Sequence, residues 1–293
     1  MIKTACFTLL FVGFLLTFIQ AQPKDSISIA SYNIRLETPA DTGARAWKNR
    51  KSDLAKIFKQ NKFDIVGVQE IGSNKQKNDL MKLLPSFTYY GKGRDNQQQT
   101  AGEQIGIIFK SKRFKLKQHG SFFLSETPEI LSKGWDADFR RLCVWARFYD
   151  LQSKYEFYVF NSHFDHVGKK ARTESAKLIV SRIKLIEPKI PVFFVGDLNS
   201  SPFDTLMYQT ITDLLTDTAI SSQKLTVTTQ GTFNGYDMNT ENFSANQKID
   251  YIFYKNANAL EYKVINSRFN NLSYPSDHFP VVCYFEFISP NKD

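Results

Sequence analysis

The sequence predicts a mixed α/β fold in one large domain, and three observations carry that expectation. Several segments alternate apolar and polar residues or run continuously apolar over strand length. Two others carry apolar residues at helical spacing, and the two kinds are interspersed along the chain. No repeat period or low-complexity linker divides the 293 residues, which are enough for one substantial core.

The chain opens with Lys3, an apolar run from Phe7 to Ile19, and Ala21-Gln22-Pro23, the pattern of a secretory signal. Cleavage is expected after Ala21, leaving one domain over residues 22–293 in a secreted or periplasmic protein. The run is short and no basic stop-transfer cluster follows it, so stable membrane insertion is not expected after removal. Cys6 lies too near the start, and lacks the preceding Leu, to read as a lipoprotein cysteine. The mature protein is expected to be a monomer.

Ser26 to Asn33 alternates as a half-buried strand does, and Arg45 to Gln60 carries Trp47, Leu54, Ile57 and Phe58 as a helix. Asp64 to Glu70 and Pro191 to Asp197 are continuous apolar runs, the pattern of central strands covered on both faces. Further strands are expected at Gln104–Lys110, Arg141–Asp150, Tyr155–His163, Ile249–Lys255, Glu261–Ser267 and Phe279–Phe287. Ala176, Ile179, Ile183 and Ile186 form one stripe of a helix over Lys169–Glu187. The polar segment Ser221 to Lys248 reads as loops around shorter elements. Cys143 and Cys283, each in a strand-like run, read as buried free thiols rather than a disulfide.

The net charge is +9 and the sequence pI near 9.3. Such a balance favours nucleic acid, phosphorylated metabolites or an acidic surface as partner, but the Lys and Arg residues are dispersed and choose none of them.

Polar residues cluster at strand ends. Asn33, Glu70, His163 and Asp197 close apolar strands, whereas Asp250 and Asp277-His278 open them. If they share one site, the last strands run antiparallel to the earlier ones and the sheets are mixed. These residue types suit cleavage of a phosphate ester, which needs charge stabilisation at phosphorus and an activated water. Glu70 with the amide of Asn33 suits Mg²⁺, a hard cation that takes a few oxygen ligands, with Mn²⁺ able to substitute. No Cys/His cluster suggests zinc. Asp197 could orient or deprotonate the attacking water, and Asn199 could hold that water or the phosphate. His278 could donate to a phosphoryl oxygen, with Asp277 fixing its tautomer.

Six motifs in order, Ser31-Tyr-Asn33, Gly67-Val-Gln-Glu70, Asn161-Ser-His163, Gly196-Asp-Leu-Asn199, Ile249-Asp-Tyr251 and Ser276-Asp-His278, resemble those of the endonuclease/exonuclease/phosphatase family. The resemblance spans Ile29 to Val282 and implies a four-layer α/β/β/α sandwich, two mixed sheets face to face with helices outside. It also implies metal coordination by Glu70 with Asn33, phosphate contact from His163, and a nucleophile-orienting role for Asp197 and Asn199. His278 is implied as the essential imidazole, supported by Asp277, with Asp250 completing the polar network. Gly231-Thr-Phe-Asn-Gly235 is most similar to the deadenylase-like branch, in which an Arg lies on the helix after the His motif; here Arg172 fits. Ser162 replaces the family's usual Thr, and Arg35 stands where an acidic residue is common.

Some positions keep two readings. His166 shapes a substrate pocket or is merely solvated, and Asp165 is equally open. Arg141, with Trp135, Asp136 and Arg140, belongs to a phosphate- or sugar-facing loop or to a core Trp ringed by solvated charges. Glu103 supports the site from behind or is a surface carboxylate, while His119 reads as surface. The sequence thus predicts an exported Mg²⁺-dependent phosphodiesterase or nuclease. The alternatives are a phosphatase for a small phosphomonoester (a sugar phosphate, nucleotide or lipid headgroup) and, against the intact Glu70, Asp197, Asp277 and His278, a silent binding module.

Overall fold

The computed structural model of the protein describes residues 26–227, 229–239, 243–268 and 273–288. The expected signal segment, Met1 to Ala21, lies outside the described residues. None of the helices described is long and apolar enough to cross a membrane.

The first half contains β1 (Ile27–Asn33), α1 (Trp47–Gln60), β2 (Ile65–Ile71), α2 (Asn74–Leu83), β3 (Phe87–Gly93), β4 (Gln104–Lys110), β5 (Phe114–Phe123) and β6 (Leu142–Asp150). The second half adds β7 (Glu156–His163), α3 (Lys169–Lys184), β8 (Val192–Asp197), α4 (Thr205–Thr212), β9 (Thr216–Asp217), α5 (Thr218–Ser221), β10 (Lys224–Thr226), β11 (Asp250–Lys255), β12 (Ala257–Val264) and β13 (Val281–Phe287). Seven strands form one sheet in the order β10-β12-β13-β1-β2-β4-β3, and six form the other as β5-β6-β7-β8-β11-β9. Both are mixed: β1 runs parallel to β2 and antiparallel to β13, and β7 runs parallel to β8, which is antiparallel to β11.

Three apolar layers separate four structural layers. Ile27, Ile29, Phe148, Phe157, Phe193 and Phe285 fill the space between the sheets. Ala30 and Tyr32 pack outward against Leu54 and Phe58 of α1, and Phe160 and Phe194 pack outward against Ile179 of α3 and Met207 of α4. The α/β/β/α sandwich implied by the motif resemblance is therefore the fold. Cys143 and Cys283 are buried and free.

Several expectations are corrected in detail. β1 is buried along its whole length, not half-buried, because its polar Ser28, Ser31 and Asn33 are covered within the sandwich. The helix expected to Glu187 ends at Lys184. The last strands begin elsewhere: β12 covers Ala257–Val264 and β13 starts at Val281. The polar helix α2, with only Gln76 and Leu80 buried, and the Lys-rich edge strand β5 left too weak an apolar period to be recognised. Ser73, which caps α2 by accepting from the Gln76 N–H at 3.1 Å, was the one signal available.

The two sheets pack closely around Gly67. A Cβ at Gly67 would sit 2.3 Å from Val195 Cγ2 and 2.9 Å from the Asn161 side chain, so only glycine permits this spacing. Asn161 then bolts the sheets together. Its Nδ2 donates to the carbonyls of Val68 (3.0 Å) and Gly106 (2.7 Å), and its Oδ1 accepts from Gln69 Nε2 at 2.7 Å. A buried amide with so many partners is satisfied and directional, and it fixes one sheet's register on the other.

Candidate active site

Strand ends from both sheets meet along one rim. Within the second sheet, His163 and Asp250 are each in register with Asp197, so three strands deliver their polar ends side by side. From the first sheet come Asn33, at the end of β1, and Glu70, near the end of β2. A register irregularity between Val68 and Ile71 accompanies Glu70, whose φ is +58°. A left-handed glutamate costs about 1–2 kcal/mol, and the bulge that imposes it aims the carboxylate at the rim instead of along the ladder.

Asn33 Nδ2 donates to Glu70 Oε1 and to Asp197 Oδ2, each at 2.9 Å. Its Oδ1 accepts the Arg35 N–H at 3.0 Å, which fixes the amide's orientation, since a flipped amide would set donor against donor. Asn33, expected as an oxygen ligand, stands in the structure as the strut between two carboxylates. Behind the rim, buried Arg50 donates to the carbonyls of Ile34 (2.5 Å), Arg35 (2.6 Å) and Pro275 (3.1 Å). It ties the turn after β1 to the His278 segment, a role the sequence did not signal because it serves backbone oxygens.

His278 Nδ1 lies 2.9 Å from Asp250 Oδ2, and Nε2 points towards Asp197 Oδ2 at 3.7 Å. Asp277 was expected to fix this ring. It faces Arg35 Nη1 at 3.4 Å instead. Burial alone would lower the His278 pKa, but Asp250 and Asp197 outweigh it and hold the ring's value well above the ordinary one. Burial raises Asp250 likewise, with the nearby Asp197 charge adding to the effect. Asp197 itself is held low: burial works against this, and His278 and then His163 overcome it. With its raised value, His278 contributes stability that is complete below the ordinary imidazole pKa and is lost as pH rises through the raised one. Asp250→Asn removes the chief support of the ring's charge, so the His278 titration followed by NMR of its ring protons is expected to move down by about one unit or more.

His163 Nε2 lies 3.0 Å from Asn199 Nδ2, so that ring nitrogen accepts. Its Nδ1 lies 3.3 Å from Glu103 Oε1, an ion-pair contact outside hydrogen-bond geometry. Glu103, left open by the sequence, is therefore a neighbour of the site; burial would raise its pKa, but His163 with Arg94 and Arg141 brings it to about 2. Asn199 has φ +48°, a conformation asparagine tolerates, and spends its amide hydrogens on His163 and the Phe164 carbonyl. Thr232 and Asn234 of the Gly231–Gly235 motif brace the imidazole segment. Thr232 Oγ1 accepts the Asp250 N–H at 3.0 Å, and the Asn234 N–H donates to the Asp277 carbonyl at 2.7 Å.

The remaining expected positions lie beside this cluster. Arg172 Nη1 donates to the Asp165 carbonyl at 3.0 Å, and its Nε lies 3.8 Å from Asp204. Asp136 caps α3, accepting from Lys170 N and Ala171 N. Asp165 is buried and accepts four backbone N–H groups, those of Asp138, Phe139, Val167 and Gly168. Arg141 is buried between Glu103 and Asp165, and His166 stands exposed against Phe139. His119 is exposed, as expected.

Among the described residues, Glu70, Asp197 and His278 offer ligand atoms within 4.8 Å of one another. Two carboxylates held side by side by one amide suit a hard cation, which would relieve their mutual repulsion. Sheet order, inter-sheet rim and polar cluster together define a phosphoester hydrolase of one family. Residues 30–278 match the profile of the Endonuclease/Exonuclease/phosphatase family, and the chain belongs to it. A family member of known structure from Bacteroides thetaiotaomicron is 33% identical, with a TM-score of 0.83, covering 90% of this chain and 98% of that one. The mannosyl-6-phosphatase of Bacteroides thetaiotaomicron VPI-5482 is also 33% identical, with a TM-score of 0.82, covering 89% of this chain and 100% of that one. Nocturnin of Drosophila melanogaster is 24% identical over 291 residues; the match covers 85% of this chain but 44% of nocturnin.

Proposed function

We propose that this chain is an exported, divalent-cation-dependent phosphatase that removes phosphate from small phosphomonoesters, sugar phosphates foremost. The observation that carries the chemistry is the convergence of Glu70, Asp197 and His278 on one point. Sequence identity to the mannosyl-6-phosphatase along that chain's full length supports the substrate class. Lys3 and the apolar run Phe7 to Ile19 support export.

Glu70 and Asp197 would hold Mg²⁺, or Mn²⁺ in its place, which supplies charge neutralisation at the phosphate oxygens. Asp197, between the two imidazoles, accepts a hydrogen bond from the attacking water and orients it or takes its proton. Asn199 keeps its amide oxygen for that water, because both amide hydrogens are spent. The His278 ring, kept protonated by Asp250, donates to a phosphoryl oxygen and stabilises the charge that grows there. His163 stands on the opposite flank of Asp197, 3.5 Å away, beside the bound phosphate.

A nuclease is the second reading, favoured by the similarity to a probable RNA exonuclease of Schizosaccharomyces pombe. A panel of hexose phosphates, nucleotides, RNA and DNA, each with Mg²⁺ and with EDTA, separates the two. Cation-dependent phosphate release from hexose phosphates with a shallow salt dependence is expected. Cleavage of RNA or DNA alone, weakening steeply with salt, would reject the phosphatase reading.

A further inference from the structure

Beside His163 lies a patch built with more care than a solvated loop needs. Asp165 is 1% exposed, and its four accepted N–H groups knot the loop before β6 to the turn after β7. The knot brings Phe139 and the His166 ring into a near-parallel stack, 5.7 Å between centroids at 20°. Yet Phe139 is 45% exposed and the His166 side chain 47%. Phe139 has one face against His166 and the Arg94 guanidinium 4.7 Å over its ring, so the open surface of the stack is the outer face of His166, backed by Phe139.

Arg141 supplies a second, independent sign. It is 6% exposed, with its guanidinium 5.9 Å from the Phe139 ring. Among the described residues it makes no hydrogen bond: Nε and Nη1 are fully covered without an acceptor, and the nearest carboxylates, Asp165 and Glu103, stand off at 3.6 and 3.7 Å. A buried guanidinium with five donors and no acceptor is costly unless something else completes it. Its Nη2, absent from the covered atoms, is the donor left for a ligand.

The charge of the patch selects the ligand. Arg94 faces Glu103 at 3.2 Å, Arg140 faces Asp95 at 3.7 Å and Arg141 faces Asp165, while Asp138 adds one more carboxylate. Each of these three arginines has a carboxylate within 3.7 Å and the four carboxylates outnumber them, so this group of side chains offers a polyanionic strand or a polyphosphate no excess positive charge. Alternating donors and acceptors around an aromatic floor suit a neutral polyol ring. Axial C–H groups lie on the open ring face, while hydroxyls bond guanidinium and carboxylate.

We propose that the outer face of His166, backed by Phe139, forms the floor of a leaving-group subsite for a pyranose ring, whose hydroxyls are bonded by Arg141 Nη2 and Asp138. The subsite rests on the phosphatase reading and deepens it: the phosphate sits between His163 and His278, and the sugar extends past His163 onto the platform. His166 is then a specificity-determining residue that touches the sugar and not the phosphorus, and Phe139 the positioning residue behind it.

The test compares kinetics of the full chain, with Mg²⁺, on a hexose 6-phosphate, glycerol 3-phosphate and a nucleoside 5′-monophosphate. The hexose phosphate is expected to have the highest kcat/KM. Phe139→Ala and His166→Ala are each expected to lower the ratio of hexose to glycerol phosphate kcat/KM about tenfold, with the change in KM rather than kcat. An unchanged ratio in both variants overturns the subsite, as does a wild-type preference for the nucleotide. If the wild type releases phosphate from no monoester, the phosphatase reading falls, and the subsite is then judged by binding. Saturation transfer from the protein to the ring protons of hexose 6-phosphate, lost in Phe139→Ala, upholds it; no transfer with the wild type overturns it.

Discussion

His278→Ala is expected to lower turnover of whichever ester the enzyme takes by about a thousandfold or more, with the fold intact. The ring is 5% exposed, bonded at Nδ1 by Asp250 and aimed by Nε2 at Asp197, so it is the cation best placed against a developing phosphoryl charge. Without it the buried Asp250 loses its partner and takes up a proton, which limits the cost in stability. Near-ultraviolet circular dichroism and thermal unfolding check that the variant is folded. Partial rescue of turnover by added imidazole separates a lost chemical group from a lost packing contact. Undiminished turnover in a folded variant would remove His278 from the chemistry.

Glu70→Gln is expected to have the second largest effect, a loss of cation affinity of about a hundredfold or more, read by titration calorimetry with Mg²⁺ and Mn²⁺. Gln keeps the side chain's size and can still meet Asn33, but removes one of the two negative charges that the amide holds together. Turnover falls with it at ordinary Mg²⁺ and recovers in part at high Mg²⁺. EDTA should abolish activity of the native protein and lower its unfolding midpoint only by the lost cation binding, because the core between the sheets does not include these residues. Unaltered cation binding by Glu70→Gln would show that the cation sits elsewhere.

Much of the fold was legible because its central strands obey simple rules. Pro191 to Asp197 is a run of apolar residues that no surface strand would carry, and β8 is indeed buried on both faces. Gln104–Lys110 was bounded correctly, its apolar run Ile105 to Phe109 framed by polar Gln104 and Lys110. What escaped was weakly patterned. In α2 and β5, polar surface residues outnumber the apolar ones, so their form is decided by the sheet beside them. The motif residues were legible as strand ends, and they meet. Their partnerships were not: Asp250 rather than Asp277 holds the His278 ring, Asn33 bridges carboxylates, and Glu103 stands at His163.

By itself the sequence determined a mixed α/β chemistry-bearing chain and the strands that end in carboxylates and imidazoles; the reversal of the last strands followed only on the condition that those ends share one site. Residue type and period are local properties, and they are enough for that. Only the tertiary structure decided which carboxylate faces which imidazole, that Arg50 and Asn161 act as internal braces, and that Phe139 and His166 stack in the open. Those outcomes depend on contacts between segments far apart in the chain, such as the Asp165 knot and the 2.3 Å limit at Gly67. Close packing of two sheets sets such distances, and no periodicity along one strand encodes them.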